Sequence, residues 1–274
     1  MDIVLGHTFR FLMDSDSTFT HGRLYFQNSR KPFGITVAGA NIYVLTSASD
    51  ATAMSKNTQE LVFDDYVKEM MASMGSSEAG ITKMWQARRP SKMGYPNPFG
   101  KPLGRLSEEI FRKQLHPGAH LTELQHKFLS SIHQSLNAEN LSRISHKEKV
   151  GLLSSPDAKN VVSLVQWVQV TLLEGATNAF FGEALLARNP GLLDDFSEFD
   201  ERSWQLSYKV PRIWSKKMQM AKQKSLDALT AYFSSPEKER PGSCWLVQTM
   251  EREMREAGIE EVDMAANLMM AYWV

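Results

Sequence analysis

Residues 264–274 read MAANLMMAYWV, an uncharged run with one amide, Asn267. Glu260, Glu261 and Asp263 stand just ahead of it, and early acids suit the N-terminal end of a helix dipole. A helix is therefore predicted here. It has no glycine cap, no basic last turn and no polar tail, although chain ends are ordinarily polar. Two readings follow. Either partners that should bury the helix are absent and the chain is truncated, or a helical protein folds this helix into its own core. The first is the expectation carried forward.

Working back from that helix, the pattern stays helical as far as Leu106. Leu246, Val247, Met250, Met254 and Ala257 share one face of a predicted helix over 243–257, with Glu251, Arg252, Arg255 and Glu256 facing outward and Gly258 as its stop. Ser235-Pro236 and Pro241-Gly242 bracket a turn. An amphipathic helix is predicted from Ile213 to about Phe233, and another from Asn189-Pro190 to Pro211. The stretch from about Val161 to Phe181 is apolar on most sides, which predicts a buried helix, and Ser155-Pro156-Asp157 signals its start. Leu121, Leu124, Phe128, Ile132 and Leu136 keep helical spacing. So do Leu106, Ile110, Phe111 and Leu115, behind a candidate cap at Ser107.

The first part of the chain differs. Two apolar, β-branched runs, Ile35–Ala38 and Ile42–Leu45, flank Gly39-Ala40, which predicts a tight hairpin. Ser49 and Asp50 are candidate caps for a short helix ending near Lys56. Between Glu60 and Gly104 glycines and prolines recur, so this stretch is read as a long irregular connection, of the kind that commonly forms a binding loop. The chain is thus expected to be mainly α with a small N-terminal β-sheet: a β-rich start over 1–59, a long substrate-side loop over 60–104 and helices over 105–274.

Composition excludes several classes. Lys plus Arg total 31, as do Asp plus Glu, so the formal net charge is zero. The longest basic cluster noted is Arg88-Arg89 with Lys92 beyond Pro90, which argues against a nucleic-acid partner. One cysteine, Cys244, excludes an internal disulfide and a thiolate zinc cluster. The uncharged run 160–173 falls short of the ~20 apolar residues of a spanning helix. No secretion signal is visible, so a cytosolic chain is expected.

Catalytic signatures such as G-x-S-x-G, H-E-x-x-H, a Walker loop or G-x-G-x-x-G are missing, so no catalytic residue is assigned. Five of seven histidines fall between His116 and His146, but Pro117-Gly118 breaks the spacing of His116 and His120, and no metal site is assigned. Cys244 opens a helix, where a thiol pKa can fall, against the plainer reading of a half-buried helix residue. Trp85 and Arg89 stand at i, i+4 just before Pro90, and Arg112 lies on a firmer helix.

The segment HGRLYFQNSRKPFGITVAGANIYVLTSASDATAMSKNT, residues 21–58, resembles the N-terminal sheet and second helix of the cytochromes P-450. Its closest likeness is to a fungal branch similar to sterol 7-hydroxylase and prostacyclin synthase. GKPLGRLSEEIFRKQLHPGAHLTEL, residues 100–124, resembles the third helix of that branch. By order of parts, the run from 160 to 181 corresponds to the fifth helix and 190–234 to two helices roofing a substrate cavity. Residues 263–274 correspond to the start of the central helix that crosses the heme. The family's Phe-x-x-Gly-x-x-x-Cys-x-Gly loop is absent: around Cys244 its positions fall on Glu237, Arg240 and Leu246.

The resemblance implies a truncated cytochrome P-450 fold ending in the central helix. It implies heme in the full-length family, a flavin reductase as partner and a lipophilic small-molecule substrate such as a terpenoid, steroid or polyketide. It also implies a Trp-x-x-x-Arg pair holding a heme propionate, for which Trp85, Arg89 and Arg112 are the candidates. Without the thiolate loop this chain is expected to bind no heme and to be inactive alone. The alternative is a non-catalytic helical module that binds a hydrophobic ligand or a partner protein through an exposed apolar end.

Overall fold

The computed structural model describes residues 6–37, 39–57, 60, 61, 63–89, 94–136 and 164–273. The chain is mainly helical with one two-stranded antiparallel sheet. It divides into two compact units, Met1–Met70 with Glu201–Met218, and Met71–Asp200 with Gln219–Val274.

The first unit is built on the hairpin. Strands β1 (Phe33–Val37) and β2 (Ala40–Val44) pair in the register Phe33↔Val44 to Val37↔Ala40. Gly39 takes φ 82°, the left-handed conformation that the two-residue connection needs. Alternation sends Phe33, Ile35 and Val37 to one face, where they bury with Phe11 of helix α1 (Thr8–Met13). Phe19 of α2 (Ser15–Tyr25) and Tyr208 meet the Phe11 ring edge-on, at 5.6 and 4.6 Å. Helix α3 (Ala48–Lys56) ends where predicted, but its cap is Ser47, whose hydroxyl accepts from the Asp50 amide at 3.1 Å; Ser49 and Asp50 are its first-turn residues.

The stretch 60–104 is not a continuous irregular loop. It holds α4 (Asp64–Met74) and α5 (Glu78–Trp85). The stripe Val67, Met70, Met71, Met74 has helical spacing, and its three methionines are buried. Ser77 caps α5, accepting from the Gly80 amide at 2.9 Å.

The second unit is layered from helices. Helix α6 (Leu103–Leu115) starts behind Pro102 rather than at Ser107, and buries Leu103, Leu106, Ile110 and Gln114; Leu115 lies outside that face. Helix α7 (Ala119–Ser135) packs along α8 (Leu164–Phe181). A Cβ at Gly175 would come within 3.2 Å of Ile132 and 3.3 Å of Phe128, so the missing side chain sets their approach. The expected all-round burial of α8 holds only for its second half. Leu164, Val165, Val168 and Leu172 are exposed, whereas Ala179 and Phe181 are buried. The start signal at 155–157 lies outside the described residues.

Then come α9 (Glu183–Arg188), α10 (Leu192–Arg202), the single turn α11 (Trp204–Ser207), α12 (Lys216–Ser234), a short 3-10 turn at Glu237–Glu239, α13 (Trp245–Glu256) and α14 (Glu261–Trp273). Helix α12 starts three residues later than expected, with Ile213 and Trp214 exposed ahead of it. Glu251 does not face outward as expected; it is buried against Arg240. The largest correction concerns α14. Met264, Ala265, Ala266, Leu268 and Met269 are all at most 2% exposed within this chain. The helix therefore needs no absent partner over those residues, and of the exposed apolar end expected at 264–274 these positions are buried.

Asp263 links this last helix to α5. Its carboxylate accepts from the Ser77 amide at 2.6 Å and from the Ser77 hydroxyl at 2.8 Å. Gly80 is required beneath it, because a Cβ there would stand 2.3 Å from the Asp263 carboxylate.

Candidate functional site

Trp85 lies at the end of α5, near where residues 86–89 and 94–102 run against α6 and α13. One carboxylate organises this region. Glu253, 2% exposed on α13, accepts from the Arg88 guanidinium and from the Tyr95 backbone amide. Gly94 lies so close that a Cβ would stand 2.3 Å from Glu253 Oε1. Glu256, one turn on, takes a second Arg88 nitrogen at 3.3 Å. The Arg88 amide donates to the Gly100 carbonyl at 3.1 Å, and Asn97 bonds both the amide and the carbonyl of Lys101 at 2.8 Å. A segment rich in glycine and proline is thus pinned by charge-assisted hydrogen bonds to a buried acid.

An aromatic and cationic corner lies alongside. Trp245 stacks on His120, with centroids 4.2 Å apart, and Tyr95 approaches the same indole at 6.0 Å. The Lys113 ammonium sits 5.6 Å from the Trp245 ring and 5.7 Å from the Tyr95 ring, within cation–π range. Burial pushes the Tyr95 phenol up, and Glu109 adds to that effect.

The three propionate candidates do not converge. Trp85 is the last residue of α5, and Gln86 is already extended at ψ 135°, so the i, i+4 geometry of Trp85 and Arg89 is lost. Arg89 is exposed. Trp85 instead packs on the first turn of α6, against Gly104, with the Arg105 guanidinium 6.0 Å over its ring. Arg112 is exposed in the last turn of that helix, eight residues beyond Gly104 and so about 12 Å along the axis. Arg105 escaped the sequence reading because its pairing with Trp85 crosses a connection of undetermined shape.

Cys244 is buried at the cap position of α13, where its amide donates to the Phe180 carbonyl at 2.8 Å. Burial pushes its thiol up, outweighing the backbone hydrogen bonds from Val247 and Leu246 that lower it. Burial thus overrides the pKa lowering that a helix end could give, in line with the plainer reading of a buried helix residue, and the group stays a neutral thiol near pH 7. A heme-thiolate centre needs an accessible thiolate and cations gathered at the propionates. The chain's own residues fit neither need: the single cysteine is a buried thiol and the candidate cations stand apart. Of the other histidines, His116, His126 and His133 are exposed.

A cleft of about 600 Å³ is bordered by the end of α12, the 3-10 turn, α13 and the start of α14. Charges fill it. Arg240, 2% exposed, grips both Glu251 oxygens and donates from Nε to the Ser235 carbonyl at 2.9 Å, its guanidinium 4.8 Å from the Tyr232 ring. Arg255 donates to Glu251 at 2.9 Å, to Glu261 at 2.8 Å and to the Phe233 carbonyl at 2.6 Å. Burial opposes the charge on Arg240, and hydrogen bonding to Glu251 outweighs it, so its pKa is raised; Arg255 holds the Glu261 carboxyl down. Both guanidinium groups spend their donors inside the protein. The cleft is built as a clasp between helices, with little left to recognise a ligand.

No protein-family model matches the chain, and no curated protein matches it.

Proposed function

We propose that this chain is the N-terminal part of a cytochrome P-450-type monooxygenase. The complete protein would oxidise a lipophilic metabolite with electrons from a flavin reductase, and this chain alone would be inactive. The observation that carries the reading is the order of elements. An antiparallel hairpin and a short helix lead into a connection pinned to α13, and a helical array then ends in a buried apolar helix. That order agrees with the resemblance of residues 21–58 and 100–124. Inactivity rests on chemistry: without a thiolate there is no proximal ligand to drive O–O cleavage, and Cys244 is a buried thiol.

Two measurements test this. The transcript, read beyond the codon for Val274, is expected to encode the Phe-x-x-Gly-x-x-x-Cys-x-Gly loop; a transcript with no such loop overturns the family reading. The purified chain, mixed with heme and reduced under carbon monoxide, is expected to show no thiolate-type Soret band. Such a band would overturn the claim of inactivity.

One observation favours the second reading, a non-catalytic module that binds a hydrophobic ligand or partner. Leu164, Val165, Val168 and Leu172 expose apolar surface on the first half of α8. Such a partner would lie on the first half of α8. A chain that stays monomeric and binds no hydrophobic dye at α8 would remove this reading.

A further inference from the structure

Residues 234–239 read SSPEKE and open the connection from α12 to α13. Ser235 is half-buried, and Ser234, Pro236, Glu237, Lys238 and Glu239 are all exposed. The 3-10 turn that follows rests on bonds from the Glu239 amide to the Pro236 carbonyl at 2.9 Å and from the Arg240 amide to the Glu237 carbonyl at 3.1 Å. So short a turn opens at low cost. Pro236 is extended, at φ −55° and ψ 140°, and proline biases the residue before it the same way.

The Ser235 hydroxyl stands among cations. It accepts from the Arg188 guanidinium at the end of α9 and donates to the Ala231 carbonyl at 3.0 Å. Arg188 also reaches the Glu239 carbonyl at 3.2 Å and the Glu239 carboxylate at 3.3 Å. Arg240 donates from Nε to the Ser235 carbonyl at 2.9 Å. Ser235 lines the charged cleft together with Arg240, Arg252 and Arg255. A diffusing anion finds most of these donors engaged. An anion fixed to the Ser235 oxygen is different, because the covalent bond holds it beside Arg188 at high effective concentration.

We propose that Ser235 is a phosphorylation site for a proline-directed serine kinase, and that Arg188 holds the phosphate. Pro236 has no N–H, so it suits a kinase pocket that offers the following residue no acceptor, and Lys238 supplies a cation two residues further on. In the transfer, the bond from the ATP γ-phosphorus to its β,γ-bridging oxygen breaks and a bond to the Ser235 oxygen forms. ADP leaves, and the hydroxyl proton passes to a base of the kinase. The phosphate brings a charge of about −1.5 to −2 beside a guanidinium already in contact with its oxygen. The end of α12, Glu237 and Glu239 oppose it, but these act at an exposed surface, whereas the guanidinium bonds it directly. Arg188 then exchanges the Glu239 carboxylate for the phosphate, and α9 is tied to the α12–α13 connection. This site is independent of the monooxygenase reading.

The test is incubation of the full native chain with magnesium ATP and a proline-directed kinase, read by mass spectrometry of the tryptic peptide 225–238. Phosphate is expected on Ser235 and not on Ser234. Pro236→Ala is expected to slow its uptake at least about tenfold, because the new N–H is buried unpaired in the kinase pocket. Phosphate is expected to raise the midpoint of thermal unfolding by about 2–4 °C, and to raise it by nothing in Arg188→Gln. Both substitutions fall at exposed positions, and each variant's circular dichroism spectrum is expected to match the parent's. Phosphate taken up at Ser155, ahead of Pro156, and not at Ser235 overturns the proposal. So does uptake at Ser235 in denaturant alone, since the native turn would then not present the hydroxyl. A midpoint that falls on phosphorylation, or a rise that survives in Arg188→Gln, overturns the role of Arg188.

Discussion

Glu251→Gln tests whether the clasp in the cleft holds the second unit together. Arg240 is 2% exposed and gives two of its donors to the Glu251 oxygens. The amide keeps one oxygen as acceptor but turns an N–H₂ toward a guanidinium nitrogen, so a nearly buried cation loses its only anionic partner. Breaking a buried pair from one side costs about 3–5 kcal/mol. The cleft admits water, which favours about 3 kcal/mol. The bond from Arg255 adds little, because that side chain is 41% exposed. For a unit of this size the midpoint of thermal unfolding is expected to fall by about 6–12 °C, followed by circular dichroism. The double variant R240L/E251L separates pairing from packing. Leucine at 240 still rests on the Tyr232 and Phe233 rings, and no charge is left unpaired, so the double variant is expected to cost less than Glu251→Gln alone. A double variant whose loss equals the sum of its singles would refute the reasoning, since the two residues would then not be coupled.

Other expectations follow from single positions. Gly182 has φ 76° and ψ 168°, a region open almost only to glycine, and a Cβ would stand 2.3 Å from the Pro241 carbonyl; Gly182→Ala is expected to cost at least about 2 kcal/mol in urea unfolding. Cys244 is expected to resist a thiol reagent in native buffer and to react at once in denaturant; rapid native labelling would contradict its burial. Arg255 lowers the Glu261 pKa, so this pair contributes stability above the unfolded carboxyl value of about 4.3 and loses it as pH falls through the lower folded value. The melting difference between the parent and Glu261→Gln is thus expected at pH 7 and to vanish under acid. Leu164→Ser with Val165→Ser is expected to change stability by less than about 0.5 kcal/mol, because both side chains are exposed.

Much of the fold was legible because period and chain direction suffice for it. The hairpin followed from two β-branched runs around Gly39, and the helices after Leu103 followed from their 3.6-residue spacing. What escaped depends on contacts distant in sequence. The glycines of 60–104 read as breakers, yet Gly80 lies inside α5 because the Asp263 carboxylate needs its space, and Gly94 gives way to Glu253. Glu251 read as an outward-facing acid, and nothing in the spacing singled out Glu253; their cations, Arg240 and Arg88, lie 11 and 165 positions away. In the candidate region, the cation over the Trp85 ring is Arg105, which no spacing rule pairs with it. Spacing pairs it with Arg89 only if the helix continues, and it stops at Trp85.

The Ser77–Asp263 cap spans 186 positions of sequence. During synthesis, α5 leaves the ribosome long before the acid that completes its cap. Its first turn has only the Ser77 hydroxyl until then, and an isolated helix of eight residues is marginal in water. The second unit therefore cannot mature from the N-terminal side inward; α5 waits for α14 to complete its cap.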